Sequence, residues 1–256
     1  MLEFLASVGR VFIAFLGASG RLTIFTLTAI SHCFRRPIYV RLIGRQMIDI
    51  GYYSLPVVGL TAIFTGMVLA LQTHTGFSRF GAENAIATVV VLSVTRELGP
   101  VIAALMVAGR IGAAIAAEIG TMRVTDQIDA LSTLSTNPFK YLVVPRLLAG
   151  LITVPMLVLI ADIIGVFGGY LVATYKLGFN PAVYLFNTAD NMTVKDVLSG
   201  LIKAGVFGFI VSLMGCYHGY HSRGGAQGVG AATTYAVVSA SVMILLFDYL
   251  LTSVLF

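Results

Sequence analysis

Five ionisable residues interrupt long apolar stretches of this 256-residue sequence. They are Arg96, Glu97, Asp162, Lys203 and Asp248. A charged side chain at membrane depth costs about 2.5 to 3.5 kcal/mol on insertion scales, so such residues normally face a partner of opposite charge or a water-filled cavity. These side chains can therefore either bind the charged part of a ligand or neutralise one another.

Lys203 and Asp248 occupy similar depths on the last two apolar stretches. At 1.5 Å per residue, Lys203 is roughly 9 to 12 Å and Asp248 roughly 12 Å below the expected outer helix ends. Because consecutive spans are antiparallel, this spacing predicts an ion pair between the two residues. One interpretation is that such pairs only lock the helices together. The other is that they line, with Arg96 and Glu97, a cavity for a zwitterionic or anionic head group.

A second polar feature is the segment from Glu118 to Leu131, EIGTMRVTDQIDAL, which connects two apolar stretches. Thr125 is expected to cap a short helix there, with Ile128 and Leu131 on one apolar face. An exposed amphipathic helix suits docking to a soluble protein, and an ordinary polar loop is the alternative. The candidate contact residues are Glu118, Arg123, Asp126, Gln127, Ile128, Asp129 and Leu131.

Motifs for nucleotide or metal chemistry are weak in this sequence. The segment from Gly225 to Ala232, GAQGVGAA, has phosphate-loop glycine spacing but lacks the Lys and Ser/Thr that hold phosphate and Mg²⁺. We expect it to form a flexible turn before the last span. His218 and His221 have no neighbouring carboxylate that would complete a metal site. We therefore expect a chain that is not an enzyme and binds no metal or cofactor itself.

The composition places these residues in a membrane protein. The chain is 58% hydrophobic and 11% charged, against roughly 25% charged residues in soluble domains. A bilayer core about 30 Å thick needs about 20 apolar residues per helix, so this length holds roughly five or six spans and no separate soluble domain. Cys33 and Cys216 lack CxxC spacing and are interpreted as packing residues.

The hydropathy pattern predicts an all-α integral membrane protein with a single domain over residues 1–256. We expect an interfacial amphipathic helix and basic segment over 1–45, followed by a five-span bundle over 46–256. The predicted spans are 52–73, 85–120, 147–175, 197–217 and 232–256. The second would be roughly 54 Å long if straight, so we expect it to tilt, to kink at Pro100 or to extend into solvent.

Lys and Arg are distributed unevenly across this topology. Of the sixteen, ten lie on the side of the N-terminus, three lie within spans, and three lie on the other side, namely Arg79, Lys176 and Lys195. Because cytoplasmic segments are enriched in Lys and Arg, the N-terminus is predicted to be cytoplasmic and the C-terminus periplasmic. The net charge of +5 suits an anionic inner leaflet and needs no nucleic acid partner.

The segment from Glu118 to Leu131 closely resembles the signature of the MlaE permease family, Glu-x-Gly-x-Met-x-Val-x-Glu-Gln-Ile-Asp-Ala-Leu. Asp126 stands where the family usually has Glu, which is a conservative departure. The resemblance extends over nearly the whole chain. It includes Thr95 to Val101, the Asn137-Pro138 and Pro145-Arg146 pairs, Lys203 to Gly208 and Gly225 to Thr234.

This resemblance implies a function and a set of partners. Similar permeases form the homodimeric inner-membrane core of ABC transporters that move phospholipid between inner and outer membranes and so maintain outer-membrane lipid asymmetry. The first implied partner is a cytoplasmic ATPase that uses ATP and Mg²⁺ and binds the segment from Glu118 to Leu131, between spans two and three, as a cytoplasmic coupling helix. The other implied partners are a periplasmic MCE-domain ring and a STAS-domain protein. The implied lipid pocket comprises Arg96, Glu97, Lys203 and Asp248, with an apolar wall of Leu69, Leu71 and Phe77.

Two other functions remain compatible with the residues. An ion-coupled secondary transporter would use Glu97, Asp162 and Asp248 as a carboxylate relay, although the halves of the chain show no convincing internal repeat. A structural anchor for a lipid-carrying ring protein would tolerate replacement of its buried charges by apolar residues.

Overall fold

The computed structural model describes residues 2–37, 39–78 and 85–255, which are almost wholly helical and contain no β-strand. Arg79, assigned above to the outer side, lies outside the described residues. The α-helices are α1 (Leu2–Cys33), α2 (Val40–Ile50), α3 (Leu55–Phe77), α4 (Ala85–Ser93), α5 (Gly99–Val107), α6 (Ala113–Val124), α7 (Gln127–Thr133), α8 (Val144–Tyr175), α9 (Pro181–Asn191), α10 (Val194–Tyr220) and α11 (Gly225–Leu255). A 3₁₀ turn covers Tyr52–Ser54, and π-helical turns cover Val94–Leu98, Ala108–Gly112 and Phe139–Val143.

Six helical stretches of the described chain are long and apolar enough to cross a membrane. They are Phe12–Cys33, Val40–Phe77, Ala85–Val124, Phe139–Tyr175, Val194–Tyr220 and Gly225–Leu255. The last five contain the five predicted spans, apart from residue 256, which lies outside the described residues, and this confirms the all-α membrane class. The first belongs to α1, whose placement in the membrane interface stays a prediction.

Helix α8 packs against α3 and α10 through glycines that allow very close approach. A Cβ added at Gly66 on α3 would overlap the carbonyl oxygen of Gly165 on α8. A Cβ added at Gly208 on α10 would likewise overlap the carbonyl oxygen of Gly150. Lipid tails are as apolar as Leu, so helix association in a bilayer depends on close packing of small residues. These contacts place α8 at the centre of the bundle.

The long stretch Ala85–Val124 contains a π-helical turn directly before Pro100. Proline has no N–H, and its ring clashes with the carbonyl four residues earlier, which here belongs to Arg96. A wider turn over Val94–Leu98 lies directly before the proline, at the place where a regular α-helix would bring these two groups together. The interruption predicted at Pro100 therefore takes the form of a widened turn, and a second follows at Ala108–Gly112.

The second half of α1 attaches to one end of the bundle through an aromatic cluster. Phe25 is buried, and its ring centroid lies 5.1 Å from Phe139 and 5.5 Å from Tyr217. The rings of Tyr220 and His221 lie 5.9 and 5.8 Å from Phe25. These partners stand where the α8 stretch begins and α10 ends, so α1 contacts helix ends at this cluster.

Two local predictions from the sequence are wrong. Thr125 does not cap α7, because its hydroxyl donates to the carbonyl oxygen of Thr121 at 2.8 Å. The N-cap is Asp126, whose φ of 57° lies in the left-handed region that Asp tolerates better than most residues. The segment from Gly225 to Ala232 is not a turn but the start of α11. The chain instead reverses at Gly224, with φ of 89°, a conformation that glycine adopts without steric cost.

Candidate functional site

Lys203 is the centre of a cluster of charges at membrane depth. Its side chain has 0% exposure, and its Nζ donates to Glu97 Oε2 at 2.6 Å and to Thr252 Oγ1 at 2.7 Å. The third donor is directed at 3.2 Å to the carbonyl oxygen of Arg96, four residues before Pro100, which has no N–H of its own to donate. We call Glu97, Lys203 and Asp248 the charged cluster.

Asp248 completes the charged cluster without a hydrogen bond. Its Oδ1 lies 3.0 Å from Lys203 Nζ, so the predicted ion pair is present. A lysine has three N–H donors, and all three are directed to other acceptors, which explains why the buried Asp248 Oδ1 has no hydrogen-bond partner in the described structure. This oxygen is itself buried, so the contact with Lys203 is electrostatic and closed to solvent.

The carboxylate side chains of the charged cluster are partly exposed, whereas its lysine side chain is buried. The Glu97 and Asp248 side chains are 38% and 22% exposed, whereas Lys203 lies fully behind them. With two carboxylates and one ammonium, the cluster carries a formal charge of −1 when all three groups are ionised. A ligand that approaches from the open side meets carboxylate oxygens first.

Arg96 stands beside the charged cluster but is paired with Asp196. Its Nη2 and Nε lie 2.7 and 2.8 Å from Asp196 Oδ1. The other oxygen, Oδ2, accepts from the backbone N–H and hydroxyl of Thr193 at 2.9 and 2.8 Å, so the N-terminus of α10 fixes the carboxylate. Asp196 was missed in the sequence, although Thr-x-x-Asp at a helix start is close to the capping-box pattern.

The predicted apolar wall is divided between two places. Leu69 faces Leu98, the residue after Glu97, in an open groove of about 430 Å³ between α3 and the π-helical turn. Leu69 and Phe77 also pack against buried apolar residues of α3, α4 and the first position of the π-helical turn, namely Ala70, Ile86, Val90 and Val94. Leu71 is half-buried on α3. Of the three predicted residues, Leu69 therefore has the clearest position beside the charged cluster.

The short helix α7 is anchored by its apolar face and presents polar side chains. Ile128 is 1% exposed and belongs to the main core, against which Leu131 also packs. Arg123 Nη1 lies 2.7 Å from Asp129 Oδ1, and its guanidinium stands 5.8 Å from the Tyr220 ring centroid. Asp126 and Gln127 are exposed. The helix is thus a fixed, polar surface feature, as an external partner would require.

Glu118 and Arg110 serve internal contacts of the bundle. Glu118 Oε2 lies 2.8 Å from Nη2 of the buried Arg146, which joins α6 to the start of α8. Arg110 Nη1 donates to Ser54 Oγ at 2.8 Å and to the Asp49 carbonyl oxygen at 3.2 Å. Glu118 remains half-exposed, so it can also face a partner beside α7.

Residues 43–254 match the family model described as Permease MlaE, which covers most of the chain. The chain belongs to the MlaE permease family. A Rickettsia felis protein named probable ABC transporter permease protein is 59% identical over 256 residues, covering 100% of this chain and 99% of that protein. These matches identify this MlaE permease as a multi-pass membrane protein of the ABC transporter permease type.

Two further relatives have more specific names. The Haemophilus influenzae intermembrane phospholipid transport system permease protein MlaE is 34% identical over 257 residues, covering 100% of this chain and 98% of the relative. The Arabidopsis thaliana protein TRIGALACTOSYLDIACYLGLYCEROL 1, chloroplastic, is 38% identical over 212 residues, covering 83% and 61% of the two chains.

In this MlaE permease, Asp162 lies apart from the charged cluster. It is 5% exposed on α8, and a Cβ added at Gly99 would overlap its Oδ1. Neither carboxyl oxygen has a hydrogen-bond partner in the described structure. A relay through Glu97, Asp162 and Asp248 would therefore need a connection that direct hydrogen bonds do not supply.

Proposed function

We propose that this chain is the permease subunit of an inner-membrane ABC transporter that moves phospholipid between inner and outer membranes. The observation that carries the proposal is the charged cluster, in which a fully buried Lys203 holds two partly exposed carboxylates beside an apolar groove. The name of the Haemophilus relative adds support, since it describes a phospholipid transport system. Maintenance of outer-membrane lipid asymmetry would be the physiological result.

The charges favour a zwitterionic head group. Arg96 is 36% exposed and offers the guanidinium geometry that binds phosphate well. Glu97, whose side chain is 38% exposed, is an acceptor for an ammonium group, and Asp248 adds negative charge beside it. An acyl chain would follow the groove beside Leu69 and Leu98. Phosphatidylethanolamine combines these three features.

Two copies of the chain would form the transport pathway. Partly exposed carboxylates are costly at membrane depth unless a wet cavity or another protein surface covers them. A second copy of the same surface would supply that cover, with the lipid held between the two copies. This arrangement agrees with the resemblance to homodimeric permeases.

The motor would be a separate cytoplasmic ATPase that hydrolyses ATP with Mg²⁺ and docks on α7. The exposed Asp126 and Gln127 offer contacts, while the buried Ile128 transmits force to the core. By resemblance, an MCE-domain ring would receive lipid on the periplasmic side and a STAS-domain protein would bind the ATPase. This chain would contribute no catalytic residue.

The cytoplasmic side of the proposed topology is the side of α7. Arg123 and Lys140 lie there, and Lys140 Nζ donates to the carbonyl oxygen of Arg36 after α1. The packing of Phe25 against helix ends supports an interfacial α1 on this side and a cytoplasmic N-terminus. The C-terminus of α11 would then be periplasmic.

The proposal is tested with the chain and its ATPase reconstituted in proteoliposomes, with an acceptor vesicle for labelled phosphatidylethanolamine. Asp248→Asn should slow lipid transfer at least tenfold, as expected for loss of one charged contact, and leave ATPase binding intact. The double change Asp126→Ala and Gln127→Ala should lower both ATPase stimulation and transfer. Thr133→Ala, an exposed change on the same helix, is the matched control.

Three results would oppose parts of the proposal. Unchanged ATPase stimulation in the α7 variant would remove α7 as the docking site. Transfer that is unaffected by Asp248→Asn would remove the charged cluster as the lipid site. Transport that continues without ATP and collapses with the proton gradient would favour the secondary transporter.

A further inference from the structure

A second, larger groove lies between α8, α9 and the start of α10. Its volume is about 610 Å³, which is within the range of roughly 300 to 1,000 Å³ found for small-molecule sites. The lining residues are Thr95, Leu159, Asp162, Ile163, Val166, Phe167, Tyr170, Tyr184, Leu185, Thr188, Met192 and Val197. This lining includes no Lys, Arg or His, so the groove contains an acidic group without a cation beside it.

Two buried polar side chains in this groove have no hydrogen-bond partner in the described structure. Asp162 is 5% exposed with both oxygens unsatisfied, and Tyr184 is 4% exposed with its hydroxyl unsatisfied. The other polar lining groups are already engaged, because the Thr95 and Thr188 hydroxyls donate to carbonyl oxygens of their own helices at 2.8 Å. Buried polar groups of proteins normally have partners, so each exception requires an explanation.

Aromatic rings line the same groove. The Tyr170 ring centroid lies 6.0 Å from that of Tyr184 and 6.3 Å from that of Phe167, so the three rings form one continuous surface. The faces of aromatic rings carry negative partial charge and attract cations within about 6 Å. A carboxyl group and three rings therefore favour the same sign of charge in a ligand.

The groove opens sideways rather than along the bundle. Ile163, Phe167 and Leu185 at its edge are more than half exposed although they are apolar. Ile163 and Phe167 belong to α8, which is long and apolar enough to span a bilayer, and exposed apolar residues on such a helix face hydrocarbon. A ligand would reach the groove from the membrane, which selects molecules that partition into lipid.

We propose that this groove binds a lipophilic monocation, with its charge at Asp162 and its apolar body against the aromatic surface. A cation supplies the opposite charge that stabilises a buried carboxylate. An anion would be repelled by that carboxylate, and a plain hydrocarbon chain would leave its oxygens unsatisfied. The site is separate from the charged cluster and requires none of its residues.

The proposal is tested by equilibrium binding of radiolabelled tetraphenylphosphonium to the full chain in phosphatidylcholine nanodiscs. Triphenylphosphine oxide, a neutral aromatic molecule of comparable width, is the matched probe. Empty nanodiscs correct for partition into lipid. We expect saturable binding of the cation and at least tenfold weaker binding of the neutral probe, as for the loss of one charged contact.

Two variants within the groove and one control outside it test whether the cation binds at this place. Asp162→Asn keeps the side-chain volume and should weaken cation binding about tenfold or more. Asp190→Asn removes an exposed carboxylate from α9 outside the groove and should leave binding unchanged. Phe167→Leu, at the exposed edge, should weaken binding roughly two- to tenfold through loss of one cation–π contact and tests the groove without altering a buried residue.

Three results would contradict binding of a lipophilic cation in this groove. Absence of saturable cation binding, equal binding of both probes, or unchanged affinity in both Asp162→Asn and Phe167→Leu would overturn the proposal. Equal binding of the probes would mean that the groove accepts apolar molecules without regard to charge. Glu97→Gln should leave this binding intact, so failure of lipid transfer at the charged cluster and failure here are distinguishable.

Discussion

Lys203 is held by acceptors from two parts of the chain, the π-helical turn before Pro100 and helix α11. The depths of Lys203 and Asp248 were sufficient to predict their pairing from the sequence. The bond to the Arg96 carbonyl oxygen was not predictable, because it depends on the wide turn before Pro100 rather than on residue type. The pairing of Arg96 with Asp196 was missed for a related reason, since Asp196 belongs to the start of α10.

Removal of the Lys203 charge should destabilise the fold. Lys203→Met would leave Glu97 and Asp248 facing each other without a cation, a loss of about 3 to 5 kcal/mol in the free energy of unfolding. The loss is measured by heating the Cys33→Ser protein with a thiol-reactive dye. The dye labels the buried Cys216 when the protein unfolds.

A control variant and a compensating variant accompany this measurement. Lys176→Met, an exposed change after α8, should leave the unfolding temperature unchanged. Adding Glu97→Gln and Asp248→Asn to Lys203→Met should restore part of the lost stability. An unfolding temperature that stays at the wild-type value in Lys203→Met would show that the charged cluster is not structurally important.

Helices were predicted more reliably than the contacts between them. The five spans follow from long apolar runs, whereas α9 was missed because it is short. Its start carried a recognisable signal, since Asn180 accepts hydrogen bonds from the N–H groups of Ala182 and Val183 and Pro181 follows directly. Gly59 and Gly66 are both glycines of α3, but helical periodicity alone does not indicate which of them meets another backbone.

The two glycines of α3 give a matched test of the α3–α8 contact. Gly66→Ala should lower the free energy of unfolding by about 1 to 3 kcal/mol, because the added methyl overlaps the Gly165 carbonyl oxygen and forces the helices apart. Gly59→Ala meets only Ile164 Cδ1 at 3.4 Å and should have little effect. Thermal unfolding in the same detergent compares them. Equal unfolding temperatures for the two variants would contradict the close α3–α8 packing.

At the scale of the whole molecule, the position of α1 determines the side on which the N-terminus lies. The sequence predicts five spans with α1 in the interface, and the described residues contain six helical stretches that are long and apolar enough to cross. Length and composition do not separate these arrangements, because α1 is apolar yet contains Arg21 within its candidate span. Contacts favour the interface, since Phe25 reaches helix ends.

Labelling of single introduced cysteines tests which side of the membrane each segment faces. In a background without Cys33 and Cys216, Ser135→Cys after α7 should react with an impermeant maleimide only after the membrane is permeabilised, whereas Asn187→Cys on α9 should react in intact spheroplasts. An N-terminal epitope tag should be protected together with Ser135→Cys, as Lys and Arg enrichment on that side predicts. A tag accessible in intact spheroplasts would show that α1 crosses the membrane.

The π-helical turns within Ala85–Val124 have an evolutionary consequence. An α-helix advances by about 100° per residue, so inserting or deleting one residue in a regular stretch turns every later side chain to a new face. A π-helical turn already holds an extra residue. A one-residue length change is therefore best tolerated within Val94–Leu98 or Ala108–Gly112, and gaps between diverged homologues are expected to collect at these two positions.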